Sequence, residues 1–96
     1  MRCGFTIIAK LDLEDIGDYI ARDNPQRAIT FVDEIRQRCF AIVQAPRAAP
    51  LRESLGKGVR VVPYGQYLIF YTVQPDEVRI ERVLHGARDI DRSFFH

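Results

Sequence analysis

Lysine is nearly missing from this 96-residue chain: of 14 cationic side chains only Lys10 and Lys57 are lysines, which leaves 12 arginines. Against 13 acids the formal net charge is +1, so the positive excess of a generic DNA-binding protein is missing too. Arginine prevails where planar anions are gripped by two hydrogen bonds at once, and the bias points to contacts with phosphate or with an acidic partner. Cysteine is scarce. Cys3 and Cys39 are far apart, with no CxxC pair and no histidine at ligand spacing, which excludes a disulfide framework and the usual zinc sites and leads us to expect a cytoplasmic protein. No apolar run of about 18 residues occurs, and Asp12, Glu14, Asp15 and Asp18 interrupt the first twenty positions, so neither a membrane span nor a signal peptide fits. Phosphate-cradling glycine loops, HExxH, GxSxG and calcium loops are all lacking, and no cofactor or metal is expected.

The length suits one domain over residues 1–96, with no repeats, linkers or low-complexity segments. A chain of this size buries only about 60–65% of its unfolded surface, so a large share of its hydrophobic residues, 47% of the total, must go into the core.

Periodicity divides the chain. Cys3 to Ile8 is a β-prone run, followed by an acidic helix in which Leu13, Ile16 and Ile20 recur at helical spacing. Asp12, Glu14 and Asp15 fall in its first turns, where negative charge suits the dipole, and with Asp18 they read as a solvated face rather than as an acid–base pair. Asn24-Pro25 supplies an N-cap and a first-turn proline for a second helix running to about Ala45, whose stripe is Ala28, Val32, Ile35, Cys39 and Ile42. Pro46 ends it, and a loop carrying Arg47, Arg52 and Lys57 follows. Val59–Val62, Tyr67–Val73 and Val78–His85 are strand-like runs with connections short enough for an antiparallel meander. The order β-α-α-β-β-β predicts an α+β fold, a helical hairpin packed on one face of an antiparallel sheet with the other face partly open. Alternation places Leu13, Ile16, Ile20, Val32, Ile35, Cys39 and Ile42 on Ile69, Tyr71, Val73, Ile80 and Leu84, with Leu68, Phe70 and Thr72 on the opposite face.

Chemistry concentrates where the last strand ends, in Arg82-Val83-Leu84-His85-Gly86-Ala87-Arg88-Asp89. His85 is either a general base or a hydrogen-bonding group across the exit turn, the second being commoner for a lone histidine. Arg88 either holds phosphate or pairs with Asp89 or Asp91.

Together with Ala9-Lys10-Leu11-Asp12-Leu13-Glu14-Asp15-Ile16, Tyr19-Ile20-Ala21, Asn24-Pro25 and Tyr67-Leu68-Ile69-Phe70-Tyr71, that segment resembles the RelE/ParE superfamily of toxins from type II toxin–antitoxin (plasmid stabilization) systems. The likeness runs nearly end to end and implies a toxin with a cognate antitoxin protein as partner. The superfamily's ribosome-dependent mRNA endonucleases need cationic and proton-transferring groups; their positions fall here on Leu68, on Val59-Arg60-Val61 and near Phe94, and only the late arginine, Arg88, is kept. A degenerate nuclease site would use Arg60, His85 and Arg88. The Leu-Ile-Phe-Tyr and Arg-Val-Leu-His-Gly wording is closer to the ParE branch, which implies inhibition of DNA gyrase by contact, without catalysis, sequence-specific nucleic-acid binding or membrane association. An inactive relative that only binds antitoxin is the third reading.

Two surfaces follow as expectations. The open sheet face would bind antitoxin through Leu68, Phe70, Thr72 and Val83, with Arg52, Arg60 and Arg88 meeting its acids. Target contact is assigned to Arg88, Arg92, Phe94 and Phe95, because aromatics beside arginines anchor interfaces; the alternative is that both rings close the core while Arg88 and Arg92 pair with Asp89 and Asp91.

Overall fold

The computed structural model describes residues 1–95. Its elements are β1 (Arg2–Phe5), α1 (Ile7–Ala21), α2 (Pro25–Ile42), β2 (Arg60–Tyr64), β3 (Tyr67–Val73), β4 (Glu77–His85) and a single 3-10 turn at Arg92–Phe94. The order β-α-α-β-β-β is as expected, but the sheet is mixed. In the spatial order β1-β4-β3-β2, the last three strands form the antiparallel meander while β1 lies parallel to β4.

The first strand is shorter than the β-branched residues suggested. Thr6 interrupts it as an N-cap, its Oγ1 accepting from the Ala9 N–H at 3.0 Å and donating to the Glu81 carbonyl at 3.0 Å, so Ile7 and Ile8 begin α1 as exposed residues. Asn24 caps α2 by accepting from the Arg27 N–H at 3.0 Å, with Pro25 next, as the sequence implied. Tyr64 pairs with Tyr67 across a two-residue turn, and Gly65 at φ 57° supplies the positive dihedral that such hairpins require; Pro63 and Tyr64 therefore belong to β2 rather than to the connection.

A bulge in β4 decides which residues face the helices. Phe70 pairs with Arg82 but Tyr71 with Ile80, leaving Glu81 as the extra residue. Side-chain alternation shifts by one beyond it. Val78, Ile80 and Val83 join Leu13, Ile16, Ile35, Cys39, Ile42, Ile69 and Tyr71 beneath the helices, with Ile20, Val32 and Val73 packed at the margin. Leu84, expected there, is on the opposite face, and Val83, expected in the open strip, is 2% exposed under the helices.

That opposite face is covered by the chain itself. Phe70, Leu84 and Val61 pack with Leu55 and Val59 from the loop before β2, and Leu68, Ile90, Phe94 and Phe95 close the cluster. The ring of Phe95 meets that of Phe70 edge-on, with centroids 5.2 Å apart. A sheet buried on both sides is how so small a chain finds enough core. No helix is long and apolar enough to cross a membrane among the described residues.

Candidate functional site

The bulge and the short β1 leave half of β4 paired with β3 on one side and without a strand on its outer edge. β1 pairs with β4 only as far as Ile80, and Thr6 takes the last bonds at that edge. Beyond it, Val83 donates its N–H to Asp12 Oδ2 at 3.0 Å. The same carboxylate holds Arg82, with Nε to Oδ2 at 2.8 Å and Nη2 to Oδ1 at 2.9 Å. Asp12 is 8% exposed, so the solvated role expected for it is wrong: it is buried, paired and bonded to backbone, the condition under which a buried charge is tolerated. The bond from Asp12 holds the guanidinium of Arg82 above its ordinary pKa. Arg82 also donates to the Phe94 carbonyl at 3.2 Å and lies over the Phe94 ring, so one residue ties α1, β4 and the C-terminal segment together.

Between α1 and this free edge lies a groove of about 440 Å³, lined by Asp12, Asp15, Ile16 and Tyr19 on the helix and by Val83, Leu84, His85 and Arg88 on the strand and its exit. Gln66 and Tyr67 close its far end. His85 Nδ1 accepts from the Ala87 N–H at 3.0 Å, which leaves the proton on Nε2, 3.2 Å from Gln66 Oε1. The imidazole is held across the exit turn, packed edge-on against Tyr67. Arg88 is exposed and stacks on Phe94, 4.9 Å from the ring centroid, and among the described residues it pairs with neither Asp89 nor Asp91.

The three residues of the degenerate nuclease site are not brought together. Arg60 donates to the carbonyls of Arg47 at 3.0 Å and Ala49 at 2.7 Å, holding the loop after α2, and it pairs with Tyr71, four positions along β3 from Tyr67, the partner of His85. At about 3.3 Å per residue, that places Arg60 roughly 13 Å along the strands from His85, before the lateral step across β3 is counted. Only His85 and Arg88 share a site.

The expected antitoxin strip does not exist as one surface. Phe70, 1% exposed, lies in the second core; Val83 lies in the first; Leu68 is half-buried; and Thr72 donates to Glu81 Oε2 at 2.8 Å. Arg52 is exposed beside its loop, where its N–H donates to the Val59 carbonyl. In the tail, Arg92 is exposed while Phe94 and Phe95 are half-buried in the second core. Asp12, Ile16 and Tyr19 were missed as a set. Their spacing of four and three residues puts them on one helical face, and an acid on an otherwise apolar face was the available signal.

Comparison with known proteins agrees with this architecture. No match was found among curated proteins. A chain of a chromosomal ParDE toxin–antitoxin system from P. aeruginosa superposes with a TM-score of 0.76 at 24% identity, over 88% of this chain and 95% of that one. A chain of the RelBE2 toxin–antitoxin complex from Mycobacterium tuberculosis gives 0.64 at 25% identity, over the same 88% and 95%. Residues 5–90 match the family described as the ParE toxin of the type II toxin–antitoxin system parDE, and on that match the chain belongs to the ParE toxin family within the RelE/ParE superfamily.

Proposed function

We propose that this protein is a contact toxin that inhibits DNA gyrase and is neutralised by a cognate antitoxin. The observation that carries the reading is the dispersal of the cationic groups a nuclease would need. Arg60 is committed to loop carbonyls, and Leu68 and Phe94 occupy places where the nuclease branch has an arginine and a tyrosine. Without convergent charge, the transition state of RNA cleavage would go unstabilised, at a cost of orders of magnitude in rate. The family match and the complexes in which the structural neighbours occur support the antitoxin as partner.

Arg88 and Arg92 are the exposed members of the target-binding set, and Phe94 serves as the platform that holds Arg88. The test is induction of the protein alone in bacterial cells with DNA and protein synthesis followed in parallel. Replication stops first if gyrase is the target. Prior arrest of translation with cut mRNA would contradict the reading.

A further inference from the structure

The net charge of +1 conceals an uneven distribution. Seven acids lie between Asp12 and Glu34 against two arginines, whereas six cations and a single acid, Glu53, lie between Arg36 and Arg60. The fold gathers five of those cations around the start of β2, at the end of the sheet away from His85. Arg38, half-buried near the end of α2, lines a cleft of about 310 Å³ with Pro50, Val61 and Pro63. Arg60 holds the Arg47 and Ala49 carbonyls, and the Tyr71 hydroxyl donates to that of Pro46 at 2.7 Å, so the acceptors of the loop point inward while the Arg47 side chain is exposed. Arg52 is fixed by its N–H on the Val59 carbonyl at 2.6 Å, and Lys57 stands in the turn that Glu53 closes on the Gly58 N–H at 3.2 Å; both side chains are exposed. Elsewhere Arg2, Arg27, Arg79 and Arg82 each have a carboxylate within 3.7 Å, but none of these five cations has one among the described residues.

The surroundings of these cations select among anionic partners. A strand of an acidic protein is refused, because along the outer edge of β2 the Val61 N–H is taken by the Pro50 carbonyl at 3.2 Å and Pro63 has no N–H, which leaves acceptors alone. The aromatic anchor of a protein interface is missing as well. Phe40, the only aromatic between Arg36 and Arg60, is turned toward β1, its ring 6.1 Å from that of Phe5. The same lack removes the platform on which single-stranded bases stack. Ala45, Ala48, Pro50 and Leu51, exposed among the cations, carry no side-chain group to read a 2′-hydroxyl. Cations presented along a loop tied down by backbone bonds, with nothing to read a base, match the phosphates of a duplex. We propose that this basic end of the sheet binds the phosphate backbone of duplex DNA without regard to sequence. Arg38, Arg47, Arg52 and Lys57 meet phosphates, and Arg60 positions the loop that carries Arg47. The site lies at the opposite edge of the sheet from the groove beside α1 and does not depend on gyrase being the target.

The test titrates the full chain, with no gyrase present, into a short fluorescent duplex of arbitrary sequence at several salt concentrations. Four phosphate contacts predict a slope of log affinity on log salt of about −3.6, so affinity falls about 150-fold between roughly 50 and 200 mM salt. The triple variant Arg47→Gln, Arg52→Gln, Lys57→Gln, changed only at exposed side chains, leaves one contact: the slope drops to about −1 and affinity at the lower salt falls by at least about a hundredfold, with melting unchanged. Each single change lowers the slope by about 0.9, which keeps the result readable if the triple variant folds poorly. A second triple variant with the same net charge, Lys10→Gln, Arg22→Gln, Arg79→Gln, binds the duplex as the wild type does. A slope near zero, equal losses in the two triple variants, or tighter binding of single-stranded DNA or of duplex RNA would each overturn the proposal. So would tighter binding of polyglutamate than of the duplex, meaning that an acidic protein is the partner, or salt-sensitive dimers in place of DNA binding, meaning that the acidic helices of a second copy fill the site.

Discussion

Asp12 and Arg82, seventy positions apart, meet through two hydrogen bonds of 2.8 and 2.9 Å, and the same carboxylate accepts the Val83 N–H. With side chains only 9% and 16% exposed, the pair joins the first helix to the last strand and, through the Arg82 bond to the Phe94 carbonyl, to the C-terminal segment. Removing one partner strands the other. Asp12→Ala should therefore destabilise the protein by about 3–5 kcal/mol, and the double variant Asp12→Ala, Arg82→Met by less than the single change. Urea unfolding of the wild type, the two single variants and the double variant checks this; a double variant as weak as the sum of its parts would show that the two residues act independently.

The C-terminal residues make a second test. Because Phe94 and Phe95 pack on Phe70 and Leu84, truncation after Ile90 is expected to lower stability by about 2–4 kcal/mol, the scale of losing partly buried aromatics. Thermal melting decides it. An unchanged midpoint would mean that the rings contribute nothing to the core and are available to a partner.

The helical order, the N-cap at Asn24 and the meander were legible because each rests on local chemistry: a spacing, a capping side chain, a glycine turn. What escaped depends on contacts made across the fold. The bulge at Glu81 shifts every later side chain in β4 by one face, so the strict alternation that correctly placed Ile69, Tyr71 and Ile80 exchanged Val83 and Leu84. Nothing in the strand's own residues announces the extra one; the bonds from Thr6, the cap of α1, to the Glu81 carbonyl and from the Val83 N–H to Asp12 reveal it only in three dimensions. The covered second face escaped for a similar reason, since Leu55, Val59 and Ile90 are scattered singly through irregular segments where no periodicity marks them.

Stability should have two pH limits set at one place. Glu34 joins Arg27 on its own helix at 2.6 Å and accepts from the Tyr64 hydroxyl of β2 at 2.6 Å. The Arg27 bond first, and the Tyr64 bond second, hold the Glu34 carboxyl below its ordinary value, so its contribution is present above the usual carboxylate pKa and is lost as pH falls through the lowered one. The bond to Glu34 raises Tyr64, whose contribution is complete below pH 10 and lost as pH rises through the raised value. Melting curves across pH should flatten at both ends in Glu34→Gln; a profile identical to the wild type at both ends would refute the assignment.

The thiols should be inert at neutral pH. Burial, with Glu77 nearby, pushes Cys3 up to about 11, and burial pushes Cys39 up to about 12, while the Cys3 thiol donates to the Cys39 carbonyl at 3.6 Å. Alkylation of Cys3 by iodoacetamide at pH 8 is expected about a hundredfold slower in the folded protein than in urea, because only the thiolate reacts. Mass spectrometry over a time course gives the ratio, and equal rates would contradict it.

The central claim, inhibition by contact rather than by turnover, is tested most directly by titrating purified protein against a fixed amount of gyrase and following supercoiling of relaxed plasmid. The account predicts inhibition that saturates as the two approach equal amounts and that is weakened in Arg88→Glu while the fold persists. Supercoiling untouched by a molar excess of folded protein, with mRNA cut on added ribosomes at far below one toxin per message, would contradict it.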